Sequence, residues 1–339
     1  MKRLSISTIQ AVTIQVVGNK TLGEGISYAG QLTVLGQSEE FIKEMIDKNF
    51  DFVNQKHFTY IESIDLNPTY NFIKKIFSNP ECFLKQSNNL AAYLYEQSIH
   101  PNVKCGEFYV ILATCLYLGT KHECVILLKN ERKEAFLSYE NIGSVINVRT
   151  NYGVGIKNLD KGCIVINLDA EKGYVVFTVD KTNNGSDAHY WIDSFLHVED
   201  AEDDRYNNSM KLVEVCASFV RELRKTENDI ECAKTATAIE HLFSSGININ
   251  QQTLIDQVCQ MEPHKELLED LLKDAGVGYE SLVEGIHPDV TAIKRRKLTK
   301  FNTLRLGDDF ELKVLNPDAK IVTGKDTDTG LRFTSLFYK

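Results

Sequence analysis

What this sequence lacks removes several classes of protein. Its eight cysteines, Cys82, Cys105, Cys115, Cys124, Cys163, Cys216, Cys232 and Cys259, form no CxxC pair and match no zinc-site spacing. Most sit inside apolar runs, such as Cys115 in ILATCLYLG, which suits reduced core thiols in a reducing compartment. There is no GxSxG, HExxH or GK[ST] pattern. A nucleophile elbow, a zinc-protease helix and a Walker-type phosphate loop therefore have no support. The pairs Gly23/Gly25 and Gly153/Gly155 do not make phosphate loops either. No apolar run approaches the roughly 18 residues of a membrane span. The opening segment MKRLSISTIQAVTIQVVGN begins with basic residues, but Gln10, Thr13 and Gln15 interrupt its apolar stretch. That alternation is a strand pattern rather than a signal-peptide core, so a cytoplasmic protein is expected. Internal repeats and low-complexity segments are absent as well.

The composition that remains is that of a folded chain. Hydrophobic residues make up 43% and charged residues 25%, so a sizeable core can form. A length of 339 residues implies two or three domains. The net charge is −9, which argues against coating DNA by bulk charge, since phosphate binding needs clustered lysine and arginine. The distribution is uneven. Residues 1–150 carry 15 basic and 15 acidic side chains, residues 151–300 carry 17 and 26, and residues 301–339 carry six of each. The excess acid lies in the middle of the chain.

Patterning along the chain predicts an α+β fold with a mainly antiparallel sheet. Residues 6–17 read as a strand, GQLTVLG as a second, and SEEFIKEMIDKNFDFV as an amphipathic helix with Phe41, Met45, Ile46 and Phe50 on one side. A strand at HFTYIES and helices at NPTYNFIKKIF and Glu81 to Gln97 follow. The segments EFYVILATCLYLG, ECVILLKN, ENIGSVINVR, GCIVINLD and GYVVFTVDK read as successive strands joined by short turns, hence antiparallel neighbours. The long apolar run 108–118 predicts a central strand covered on both faces. From His189 the pattern turns helical, with helices near 207–225, 229–244, 250–259, 262–275 and 280–286. After Lys300 come four short strands, FNTLRLG, DFELKVL, AKIVTG and RFTSLFY, which either form a terminal sheet or complete the first. The expected organisation is an α+β domain over 1–185, an acidic helical subdomain over 186–293, and a basic tract with a β-rich tail over 294–339.

Five cations fall within seven residues: Lys294, Arg295, Arg296, Lys297 and Lys300. In an otherwise acidic half they are the best candidates for phosphate contact, which would be sequence-independent and salt-sensitive. The alternative is a solvated helix end with cations near its C-terminus. Nearby Phe301, Phe310, Phe333, Phe337 and Tyr338 could stack on unpaired bases, but their alternation within strands favours core packing. The acidic run Glu199, Asp200, Glu202, Asp203 and Asp204 lacks EF-hand spacing and reads as a charged loop leading into a helix. Pro288-Asp289 followed by Glu311 and Lys313 fits the loose PD…ExK pattern of magnesium nucleases, but charge on the solvent side of a strand produces the same residues. His189, Tyr190 and Trp191 read as a packed aromatic cluster. No metal or cofactor site is expected.

Two segments resemble a known family. GYVVFTVDKTNNGSDAHYWIDSFLHVED, continuing through RYNNSMKLVEVCASFV, joins a strand ending in VDK to a YW…FL stretch and a helix. RRKLTKFNTLRLGDDFELKVLNPDAKIVTGKDTDTGLRFTSLFYK supplies an LTKF start, a strand of the type FELKV and a closing hairpin. Both are similar to the bacterial nucleoid-associated proteins of the NdpA/YejK type, over about residues 160–339 in sequence and over 1–160 in architecture. The resemblance implies association with the nucleoid and DNA, direct or indirect, in an acidic, non-enzymatic protein, and it supplies no catalytic motif. An adaptor reading stays open, in which the acidic helical region binds a DNA-processing enzyme. So does a homodimer with doubled phosphate contacts.

Overall fold

Alternating Val12, Ile14 and Val16 start the first strand, and in the computed structural model that strand runs the whole of β1 (Leu4–Val17). The structure describes residues 3–143, 145–181, 190–201, 204–259, 261–275, 285–289, 292 and 301–337. It divides into two compact units, Met1–Ala201 and Glu202–Lys339.

In the first unit β1 is followed by β2 (Ile26–Ser27), α1 (Ser38–Asn49), β3 (Lys56–Phe58), α2 (Pro68–Ser78) and α3 (Phe83–Gln97). Then come β4 (Gly106–Tyr117), β5 (Thr120–Asn130), β6 (Glu134–Ile142), β7 (Val145–Gly153), β8 (Lys161–Ile166), β9 (Val175–Asp180), a π-helical segment Tyr190–Leu196 and β10 (Val198–Asp200). Eight of these strands form one sheet in the order β10-β3-β9-β8-β5-β4-β1-β2. Every pairing in it is antiparallel. The fold is therefore α+β, as the strand patterning implied.

The apolar runs of β4, β5 and β8 are explained by cover on both faces. Val110, Leu112, Val125, Leu127, Cys163 and Val165 point to a core closed by α2, α3 and the π-helical segment. Ile111, Ala113, Cys115, Ile126, Leu128 and Ile164 point to the opposite core, closed by α1. Of the expected aromatic cluster, Trp191 is fully buried, packs against Phe195 in a tilted arrangement at 5.0 Å and donates its indole N–H to the Gly162 carbonyl at 3.2 Å. His189 lies outside the described residues.

Several local readings are corrected. GQLTVLG is not a strand, and the short edge strand is β2 instead. On α1 the buried stripe is Ile42, Met45, Ile46 and Asn49, while Phe41 is exposed. ENIGSVINVR is not one strand: Gly143, at φ 62°, turns the chain between β6 and β7. The strands of that hairpin are each nine residues long and, among the described residues, pair only with each other. The acidic run is not a loop throughout, because Glu199 and Asp200 lie in β10, which pairs with β3.

The second unit holds α4 (Arg205–Leu223), α5 (Asp229–Ser244), α6 (Gln251–Val258) and α7 (Glu262–Asp274). Side-chain caps start the first three: Asp204, Asn228 and Asn250 each accept backbone N–H groups of the first turn. The tail forms β11 (Thr303–Leu306), β12 (Phe310–Lys313), β13 (Lys320–Lys325) and β14 (Arg332–Phe337). They build two separate hairpins, β11-β12 and β13-β14, and neither joins the eight-stranded sheet. Among the described residues no helix is long and apolar enough to cross a membrane.

Candidate nucleic-acid interface

The five cations Lys294, Arg295, Arg296, Lys297 and Lys300 lie outside the described residues. The chain on either side of them is well anchored. Ala292 is fully buried. After the tract, the guanidinium of Arg224, which caps the C-terminus of α4, lies 5.1 Å over the Phe301 ring, and Asn302, also buried, donates to Glu240 on α5 at 2.9 Å. The Asn302 carbonyl then accepts the Val314 N–H at 2.8 Å. Leu304 and Val314 pack on Ala233 of α5 with Leu306, Leu312 and Ile321 around them. The Thr237 hydroxyl donates to the Val314 carbonyl at 2.9 Å.

This packing uses one side of each hairpin, and a two-stranded hairpin has only two sides. On β13-β14, Ile321 faces the α5 core while Lys320, Val322 and Gly324 stand on the other side with Phe333, Ser335 and Phe337. That second side is exposed and aromatic. The Lys320 ammonium sits 5.0 Å from the Phe337 ring centroid, a contact worth about 0.5–1 kcal/mol at an exposed site. The Phe333 ring lies across Gly324, where a Cβ would come within 2.5 Å of ring Cζ. Lys325 and Arg332 are directly opposed in register, two exposed cations side by side. On the other hairpin Phe310 is 69% exposed and Arg305 pairs with Glu311 at 3.4 Å.

Core packing was the expectation for these aromatics, and the structure overturns it for Phe310, Phe333 and Phe337. The signal was available: strands of four to six residues with turns between them can form isolated hairpins, which bury one face only. The exposed Phe333 and Phe337 rings share their side with Lys320, the chemistry of a stacking surface for bases with a cation for phosphate, while Lys325 and Arg332 stand on the Ile321 side.

The remaining candidates resolve differently. The acidic run is tied up in pairs: Asp200 with Lys56 and with Asn54 at 3.2 Å, Glu199 with His57 at 3.2 Å, and Asp204 as the α4 cap. Glu202 and Asp203 lie outside the described residues. For the PD…ExK reading, Asp289 donates its backbone N–H to Ser209 at 2.8 Å, and the segment before it is held by Arg205 through the carbonyls of His287 and Pro288. Glu311 is an exposed carboxylate facing Arg305. Among the described residues no group of three or more His, Cys, Asp or Glu side chains is placed to hold a metal ion.

One constellation gave no sequence signal, because its members are distant in the chain. Buried Lys129 pairs with Glu131 at 3.2 Å, and Lys161 with Asp180 at 2.8 Å. The Tyr190 hydroxyl donates to Glu131 at 2.9 Å, and both ammonium groups lie over its ring, at 5.7 and 4.9 Å. Burial lowers the Lys129 pKa and raises that of Tyr190 well above its ordinary value. Both lysines and the tyrosine are closed to solvent. The cluster ties β5, β8 and β9 to the π-helical segment and offers no reagent a surface.

No curated protein matches the chain. A family profile does: the one described as nucleoid-associated protein YejK matches residues 15–329. The match spans most of both units and the basic tract and ends before β14, so the chain belongs to the YejK nucleoid-associated protein family.

Proposed function

We propose that this protein binds DNA directly, weakly and without sequence preference, and that it performs no chemistry on it. The family match carries the reading, because it gives the chain a nucleoid-associated role in a family that is not an enzyme family. Contact with phosphates falls to Lys294, Arg295, Arg296, Lys297 and Lys300. The exposed rings of Phe333 and Phe337 with Lys320 on the same side of their hairpin support it, since together they offer stacking for bases beside a cation for phosphate. In a chain of net charge −9 this local clustering is what lets phosphate binding win over general repulsion.

The test is a duplex DNA titration at about 50 and about 200 mM salt, with the five tract residues intact and replaced by glutamine. Each lost phosphate contact flattens the slope of log affinity against log salt by about 0.9, so the variant slope is shallower by up to about 4.5. An unchanged affinity and slope refutes the assignment. Protein that leaves DNA unshifted, yet is recovered from nucleoids with a basic partner, supports the adaptor reading instead.

A further inference from the structure

Strands β6 and β7 form a ribbon that leaves the main sheet between β5 and β8. Its two faces differ. On one, Asn151 donates to Ser138 at 2.6 Å, Arg149 pairs with Glu140 at 2.6 Å, and Phe136 lies across Gly153, where a Cβ would meet the ring at 3.0 Å. That face is polar and charged at Ser138, Glu140, Asn147, Arg149 and Asn151, with Phe136 and Val145 as its exposed apolar side chains. The other carries Ala135, Leu137, Tyr139 and Asn141 opposite Tyr152, Thr150, Val148 and Ile146. It holds no charged group, and its five large side chains are 56% to 71% exposed.

The ribbon's root is fixed. Asp160, fully buried, accepts the backbone N–H groups of Glu131 and Arg132 at 2.6 and 3.0 Å and the Arg132 Nε–H at 2.5 Å. Lys133 pairs with Glu107 on β4 at 2.5 Å. A lone two-stranded hairpin is marginal in water. A nine-residue ribbon held at its root with one apolar face bare therefore calls for cover.

We infer that this face is a self-association surface, packing on the same face of a second copy about a two-fold axis. Charge selects the occupant. The face has no cation for phosphate, and the one arginine of the ribbon, Arg149, is paired on the opposite side. Two copies of a chain carrying −9 repel in general, and an uncharged face is where they can meet without opposing like charges. Area sets the strength. Five side chains each presenting about 120 Å² give about 600 Å² per copy, so two copies bury about 1,200 Å², the lower end for a stable complex. The dimer dissociates on dilution.

Sedimentation equilibrium on the full chain across the micromolar range tests this. The wild type is a concentration-dependent dimer. Tyr139→Glu with Val148→Glu, directly opposed on the apolar face, weakens association on the order of 100-fold by setting like charges across the axis. Asn147→Glu on the other face leaves it unchanged, and Tyr139→Ser with Val148→Ser serves if the charged variant fails to fold. A wild type that stays monomeric, or a dimer that survives both substitutions, overturns the inference. So does a variant that keeps its association state but loses DNA affinity, since the ribbon would then face nucleic acid. The tract variants bear on DNA binding alone, so failure of one reading is distinguishable from failure of the other.

Discussion

Replacing Asp160 with alanine removes an acceptor that three donors share in a site closed to water. The backbone N–H groups of Glu131 and Arg132 lose their partner, and Arg132 loses its ion pair. Each buried N–H left unsatisfied costs about 1–3 kcal/mol. Arg132 is 55% exposed and can turn to solvent, so its loss adds little. Relief of the carboxylate's own desolvation offsets part of the sum, leaving about 3 kcal/mol. Asp160→Asn keeps an oxygen for both N–H groups and gives up the charge assistance and the half-exposed Arg132 pair, about 1 kcal/mol. Urea unfolding followed by Trp191 fluorescence measures the difference cleanly. The chain has one tryptophan, buried in the same unit as Asp160. With a urea slope of about 3 kcal/mol/M, the alanine variant's midpoint falls by about 1 M and the asparagine variant's by about 0.3 M. Equal midpoints for the two variants would refute the claim that orphaned backbone donors dominate the cost.

Two further outcomes follow from the first unit. Gly162→Ala places a Cβ 2.5 Å from Phe50 Cζ and 2.9 Å from Val179 Cγ1, so overpacking should cost about 1–3 kcal/mol in the same unfolding assay. His197 is held below its ordinary pKa of 6.5, first by burial, with Asp193 acting the other way. The folded protein then takes up that proton at lower pH than the unfolded chain. Stability from the neutral imidazole is complete above pH 6.5 and is lost as pH falls through the folded value. His197→Asn, which tolerates the φ of 51° at this position, should flatten the change in Trp191-monitored stability between about pH 7 and pH 5.

Legibility tracked how local the physics was. The apolar run 108–118 announced β4 because a strand covered on both faces must be apolar on both, and the two cores beside it confirm the reason. The helices near 207–225, 229–244 and 250–259 were legible in local pattern, and in the structure Asp204, Asn228 and Asn250 start them by satisfying N–H groups only a few residues away. ENIGSVINVR failed as a strand because apolar content alone does not show that Gly143 reverses the chain in the middle of it. The acidic run was read as a loop because β10 exists only through β3, some 140 residues earlier in the chain.

The same division separates the candidate surfaces. Sequence by itself determined the α+β class, the clustering of five cations in an acidic chain and the family resemblance, since each is carried by neighbouring residues. Tertiary structure decided which apolar side chains would find cover. Alternation puts Leu137, Tyr139, Ile146, Val148 and Tyr152, or Phe333 and Phe337, on one side of a hairpin, but cannot say whether anything packs there. That depends on whether a third strand or a helix arrives, and among the described residues none does on that side of either hairpin.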